Sequence, residues 1–486
     1  MSNTSVEMKL KGSILRMQQV ANNKNLTEYF SHLLGETKPI EFLSPLASED
    51  FKEYQLKQLG VFEKITWGFG KEVWPDRQPQ WDGIATSADG NTLYLIEAKS
   101  YINEMKNTDT EATEGKGYDN IKAIMTEVFS KEYRKNDNAD FSLWMKDYYQ
   151  LANRLTFLRL VKESKKYTNV KLVLLNFVND ITWHWDNKET TRYQWKKHYD
   201  EVFSQMTGSE KLPNDVVCIY LDIDNGMGDK EKFKISELNQ EIQDAAKNIE
   251  SFYKSSIVNH GGITVNWRWC TEYVANMIFD MDILGKFDKI QKITRENSYN
   301  RQKMHDCKSR NNVPAKKGGK LSEVQIAMHI RLNDYIDGIG KILDYQVPLK
   351  NTQDDKAGKI DLLAYDKQNK LLRILELKTN DSNESLLRAV VEGETYKRIV
   401  NQQKLKQDFG IPDDVKVVAC PLIFTDRTSR VYQDYVDMID NERPYLLTLI
   451  KDLEQQVIVI EEGLNRDIPM DAPADTRGYR VVEVLS

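Results

Sequence analysis

One spacing occurs at two well-separated places in this chain and constrains what each region can fold into. Asp82 is followed fifteen residues later by Glu97-Ala98-Lys99, in WDGIATSADGNTLYLIEAKS. Asp361 is followed fifteen residues later by Glu376-Leu377-Lys378, in KIDLLAYDKQNKLLRILELKTN. The dipeptide Asp89-Gly90 is a strong two-residue hairpin signal. Folding the chain about it sets Asp82 opposite Glu97, and a turn centred on Gln368-Asn369 sets Asp361 opposite Glu376. Each stretch therefore predicts a β-hairpin whose first strand carries an aspartate and whose second carries Glu-x-Lys.

Side-chain alternation agrees with this. Leu93, Leu95, Glu97 and Lys99 share one strand face, and Leu372, Ile374, Glu376 and Lys378 repeat the pattern. Tyr94, Ile96 and Ala98 point the other way and suit burial against a helix. Opposed residues have Cβ atoms roughly 4.5–5.5 Å apart, and like charges so placed destabilise a strand pair. A compensating cation is expected, and oxygen ligands suit Mg²⁺ or Mn²⁺. Glu-x-Lys also occurs at Glu7, Glu36, Glu104 and Glu163, and Asp89 stands fifteen residues before Glu104-Met105-Lys106. That third match has its midpoint inside the apolar run LYLIEAK rather than at a turn. For either accepted copy alone, a solvated salt bridge on a sheet rim competes as an explanation; two copies, each turning at its midpoint, favour a shared chemistry.

On these residues both segments resemble the core of the PD-(D/E)XK nuclease superfamily, the restriction-endonuclease-like fold. The resemblance implies that Asp82 and Glu97 bind metal, with Lys99 positioning or deprotonating the attacking water; Asp361, Glu376 and Lys378 take the same roles. Bound metal would polarise a phosphoryl oxygen and lower the pKa of its water. The family often has proline before the aspartate, where this chain has Trp81 and Ile360. The stretch from Trp81 to Val178 is also similar to an uncharacterised bacterial group of that superfamily, through Trp-Asp, Glu-Ala-Lys and the helical Tyr149-Gln150-x-Ala152-Asn153-Arg154. Gln150 and Arg154 are four apart on one helical face, where they suit the metal site or a phosphate; an ordinary polar helix face is the alternative.

In the second copy, LSEVQIAMHIRLNDYI predicts a helix capped by Ser322. Glu323 in its first turn matches the extra acidic residue that superfamily members often place near the metals, or else complements the helix dipole. ESLLRAVVEGETYKRIVNQQ predicts a helix with Arg388, Glu392 and Tyr396 on one face. It resembles the Gln-x-x-x-Tyr helix of the exonuclease-like branch, with Glu392 in place of the glutamine.

The 486 residues, 40% of them apolar, allow two or more domains with separate cores. No run of eighteen apolar residues predicts a membrane span, and MSNTSVEMKLKGS has no apolar signal-peptide core. Cys218, Cys270, Cys307 and Cys420 lack CxxC spacing, which argues against zinc sites and a disulfide framework. A cytoplasmic setting is expected. The net charge of −6 does not by itself announce a nucleic-acid binder. One local basic patch runs from Arg301 to Lys320, with seven Lys/Arg, Lys316 and Lys317 among them, against Asp306. It suits phosphate contact or a solvated linker.

The expected organisation is α/β, with two restriction-endonuclease-like domains, each a mixed central sheet flanked by helices. The boundaries fall at 1–225 and 318–486, joined by a largely helical connector with a basic linker at 226–317. SEDFKEYQLKQLG and DFSLWMKDYYQLANRLTFLRLVKES carry helical patterns, and the alternating Trp267 and Trp269 suit a strand.

The expected function is Mg²⁺- or Mn²⁺-dependent hydrolysis of DNA by an endonuclease of restriction or antiphage defence, with a defence partner protein conceivable and the oligomeric state open. Two other readings stand beside it. One is a nucleic-acid-binding or assembly module with one or both sites inactive; the other is a repair or recombination exonuclease. Such exonucleases commonly have helicase companions, and no Walker A sequence is present.

Overall fold

The computed structural model describes residues 11–60, 66–67, 71–72, 78–106, 116–182, 190–293, 295–300, 321–350, 358–380, 382–426, 428–463 and 478–485. The chain divides into two units, Met1–Lys230 and Glu231–Ser486. Both are mixed α/β.

The first unit is built on a five-stranded sheet: β1 (Glu41–Ser44), β2 (Gly83–Thr86), β3 (Thr92–Lys99), β4 (Asn169–Phe177) and β5 (Val216–Leu221). Spatial order follows chain order. The β1/β2 and β2/β3 pairs are antiparallel, and β3/β4 and β4/β5 are parallel. Parallel neighbours need long crossovers. These are helical: α3 (Lys116–Val128) and α4 (Tyr149–Glu163) lie between β3 and β4, and α5 (Arg192–Thr207) between β4 and β5. Two helices, α1 (Gly12–Asn22) and α2 (Lys24–Leu33), precede the sheet. Alternation along β3 works as expected. Leu93 and Leu95 join one core with Met125, Leu151 and Leu155, while Ile96 meets α1 on the other side. There the chain approaches so closely that a Cβ at Gly83 would lie 2.8 Å from Met17 Cε.

The second unit repeats this plan with one more strand on each edge. In chain and spatial order these are β6 (Tyr335–Ile336), β7 (Gly340–Pro348), β8 (Lys359–Asp366), β9 (Leu371–Lys378), β10 (Lys416–Phe424), β11 (Val457–Gly463) and β12 (Gly478–Leu485). From β7 to β11 the sequence of pairings is antiparallel, antiparallel, parallel, parallel, as from β1 to β5. Helix α6 (Ile235–Ala245) and α7 (Cys270–Asp280) come before the sheet, and α8 (Glu323–Leu332) leads into it. Between β9 and β10 lies α9 (Leu386–Ile399); α10 (Arg430–Ile439) and α11 (Pro444–Asp452) lie between β10 and β11. Strand β9 is covered on both faces. Leu372 and Ile374 pack with Leu386 and Val390, whereas Leu375 and Leu377 pack with Ala327 and Ile330.

Residues 235–287, expected as a connector, send Leu238, Ile242, Phe252, Val274 and Ile278 into the same core as α9, α10 and α11. Three local expectations are corrected. SEDFKEYQLKQLG is not one helix: it holds two 3-10 turns, Ala47–Glu49 and Leu56–Leu59, separated by Asp50 and Phe51 in the left-handed region. The long helix at 140–164 breaks at Lys146 before α4 begins. Trp267 and Trp269 lie outside any strand, because Trp267 turns at φ 56° and Trp269 caps α7.

Candidate functional site

Each unit places its Asp and Glu-x-Lys by the same backbone device. In the first, Gly83 pairs with Ile96 and Ile84 with Leu95, so Asp82, one residue before β2, stands opposite Glu97. In the second, Leu362 pairs with Leu375, which sets Asp361 opposite Glu376. Asp82 Oδ2 accepts the Ala98 N–H at 2.7 Å, and Asp361 Oδ2 accepts the Leu377 N–H at 3.1 Å. Both acceptors take the amide between the Glu and the Lys. Burial pushes each aspartate up to about 7; the next contribution is the Glu97 charge for Asp82 and the Glu323 charge for Asp361.

Around this shared element the two sites differ in charge. In the first, both Glu97 oxygens are occupied. Oε1 accepts from Lys99 Nζ at 2.6 Å and Gln150 Nε2 at 2.5 Å, and Oε2 accepts from Arg154 Nε at 2.5 Å. Arg154 also donates to the Gln80 carbonyl at 2.8 Å and stacks 4.7 Å from the Trp81 ring centroid. Burial opposes the Glu97 charge, but Arg154 and Lys99 outweigh it and hold its pKa below the usual value. Burial likewise opposes the Lys99 charge, yet Glu97 and Asp82 keep the ammonium protonated. The i, i+4 face of α4 thus delivers Gln150 and Arg154 to the carboxylate, and Arg154 is buried there. Nearby Glu104, which accepts the Ser100 N–H at 2.9 Å, is pushed up by burial.

In the second site Lys378 is the hub. Its Nζ lies 2.9 Å from Glu376, 2.6 Å from Glu384 and 3.2 Å from Glu392. Burial opposes its charge, and these three carboxylates raise its pKa regardless. Arg388 pairs with Glu384 at 3.0 Å and lies 4.0 Å from Glu392. Tyr396, buried, donates to Glu392 Oε1 at 2.9 Å, so its hydroxyl serves a carboxylate of the site. Burial, then Asp361, push Glu376 well up, and Glu376 Oε2 is buried with no hydrogen-bond partner. Glu323, behind the Ser322 capping box that starts α8, is raised by burial and feels Lys378, Glu384 and Glu392.

Gln346 and Glu384 carry no signal in the sequence reading. Gln346 in β7 lies between the pairs Tyr345–Leu362 and Val347–Ile360, hence opposite Asp361, to whose Oδ1 it donates at 2.9 Å. No short turn links β7 to β8, so no spacing rule reveals that register. Lys316 and Lys317 lie outside the described residues.

Among the described residues no group of three or more His, Cys, Asp or Glu side chains is gathered to hold a metal ion. Mg²⁺ does not require one, because it keeps several waters and binds through one or two carboxylates. Judged by donor set, Asp361 and Glu376, with its orphaned oxygen, fit such an ion and Glu323 stands close. Glu97, whose charge is already matched by the Lys99 and Arg154 cations, fits less well. Among the described residues no helix is long and apolar enough to cross a membrane. Comparison with known protein families, curated proteins and solved structures found no match to this chain.

Proposed function

We propose that this chain is a metal-dependent nuclease of the restriction-endonuclease-like class that hydrolyses DNA phosphodiester bonds as an endonuclease, with restriction or antiphage defence as its setting. One observation carries the reading. In two units of like strand order, an aspartate opposite a Glu-x-Lys accepts the amide between the Glu and the Lys. Such repetition is not needed for a rim salt bridge, and it gathers carboxylates in a buried place where like charges are costly without a cation.

Asp361 and Glu376 would hold the metal, which when bound supplies Lewis-acid polarisation of the phosphate and an activated water. The chain's own groups do the positioning. Lys378 stays protonated among three carboxylates, so it orients by donating N–H rather than by accepting a proton. Gln346 fixes one Asp361 oxygen and the Leu377 amide the other. Tyr396 holds Glu392 against Lys378.

The test is cleavage of supercoiled and linear DNA with Mg²⁺ or Mn²⁺ by wild type, Lys99→Ala, Lys378→Ala and the double variant. Metal-dependent cleavage lost in Lys378→Ala supports the reading. Absence of metal-dependent cleavage of any nucleic acid by wild type counts against it and favours a binding or assembly module.

A further inference from the structure

The geometry points to a division of labour between the two units: among the described residues the second holds the only divalent-cation site, and in the first the Arg154 guanidinium takes the place of the metal. This rests on the nuclease reading and assigns its chemistry to one unit.

The assignment follows from which cations each glutamate already meets. Glu97 meets two of them, Lys99 on one oxygen together with the Gln150 amide and Arg154 on the other. Arg154 is itself held by the Gln80 carbonyl and the Trp81 face, so it cannot swing away without losing three partners at once. A guanidinium is always charged and its planar fork is preorganised. Asp82, Glu97 and Glu104 therefore face the two fixed cations Lys99 and Arg154. In the second unit Glu323, Asp361, Glu376, Glu384 and Glu392 face Lys378 and Arg388, so carboxyl groups outnumber the cations by more than in the first. One oxygen there, Glu376 Oε2, has no partner although the residue is only 4% exposed. A buried carboxyl oxygen without a partner is costly, and a hard cation with its waters supplies what it lacks.

With one metal site per chain, each chain cuts one strand at a time. Nicked circles should then precede linear DNA, and linearisation should require either two chains or a second binding event.

Mn²⁺ titration of the full-length chain, with free ion read by electron paramagnetic resonance, tests this directly. The expected result is one Mn²⁺ per chain. Glu376→Gln and Asp361→Asn should weaken it roughly 100-fold or more, since even outer-shell losses cost 10–100-fold. Asp82→Asn and Glu97→Gln should leave the count at one. Glu97→Gln breaks a buried ion pair, so Asp82→Asn, checked for native circular dichroism, is the second probe of the first unit. Two Mn²⁺ per chain, or loss of binding in the first-unit variants alone, overturns the division while leaving the nuclease reading intact. No bound Mn²⁺ in wild type overturns both.

Discussion

Gln346 stands directly across β7 and β8 from Asp361 and donates its side-chain amide to Oδ1 at 2.9 Å, from a backbone held at φ 50°. A side chain with a Cβ costs about 1–2 kcal/mol in that left-handed region. Such strain persists where the surroundings over-determine it, and here it aims a donor at a buried carboxylate.

Gln346→Ala and Gln346→Gly separate the two effects. Both remove the donor, at about 1–3 kcal/mol for a hydrogen bond to a charged or buried acceptor. Glycine also relieves the strained φ, so Gln346→Gly should be roughly 1 kcal/mol more stable than Gln346→Ala. Urea denaturation of the three proteins measures this; equal midpoints for the two variants would remove the strain argument.

Arg154 and Arg159 lie on the same helix but in opposite environments. Arg154 is buried on Glu97, whereas Arg159 pairs in half-exposed geometry with Glu132 at 3.3 Å and Glu163 at 2.8 Å. Removing one partner of a buried pair costs about 3–5 kcal/mol, and an exposed pair contributes about 0–1 kcal/mol. Arg154→Ala should therefore destabilise the first unit far more than Arg159→Ala. Thermal unfolding of both variants decides it.

Lys378 and Glu392 touch each other but should differ in rate effect. Losing the positioned Lys378 ammonium should lower DNA cleavage about 100- to 1,000-fold, the range for deleting one preorganised charge donor. Glu392→Gln keeps an acceptor for Tyr396 and leaves Lys378 paired with Glu376 and Glu384, so cleavage should fall by no more than about tenfold. Single-turnover rates at saturating Mg²⁺ compare the two.

Stability of the second unit should fall with rising pH through Glu272. This α7 carboxyl accepts the N–H groups of Tyr445 at 2.7 Å and Leu446 at 3.1 Å, at the start of α11. Burial nevertheless pushes it from the ordinary 4.5 up to about 7. The folded chain thus keeps a proton that the unfolded chain releases. The contribution is full below about 4.5 and is lost as pH rises to about 7, at roughly 1.4 kcal/mol per pH unit, or about 3 kcal/mol in all. Glu272→Gln stays neutral throughout. Wild type should lose about that much more stability than the variant between pH 5 and pH 8 in denaturant titrations, and parallel profiles would refute the assignment.

What the sequence determined by itself is local. The Asp89-Gly90 turn and the period-2 alternation of LYLIEAKS dictate which residues face each other, because pleat and turn together leave one register. The pairings Gly83–Ile96 and Leu362–Leu375 follow directly, as does Ser322 at the start of α8. Helical spacing likewise put Gln150 with Arg154 and Glu392 with Tyr396. Patterns without such punctuation misled: the apolar period of SEDFKEYQLKQLG suits a helix, yet the chain there turns through Asp50 and Phe51. Only the tertiary structure decided which charges meet. Two hairpins of the same spacing became unlike sites because α4 brings Arg154 to one glutamate, while α9 and the loop before it bring Glu392 and Glu384 to the lysine of the other. Tertiary packing sets that difference, and a charge balance built from residues outside the hairpins, Arg154 lying 57 positions from Glu97, leaves no mark in the spacing of either motif.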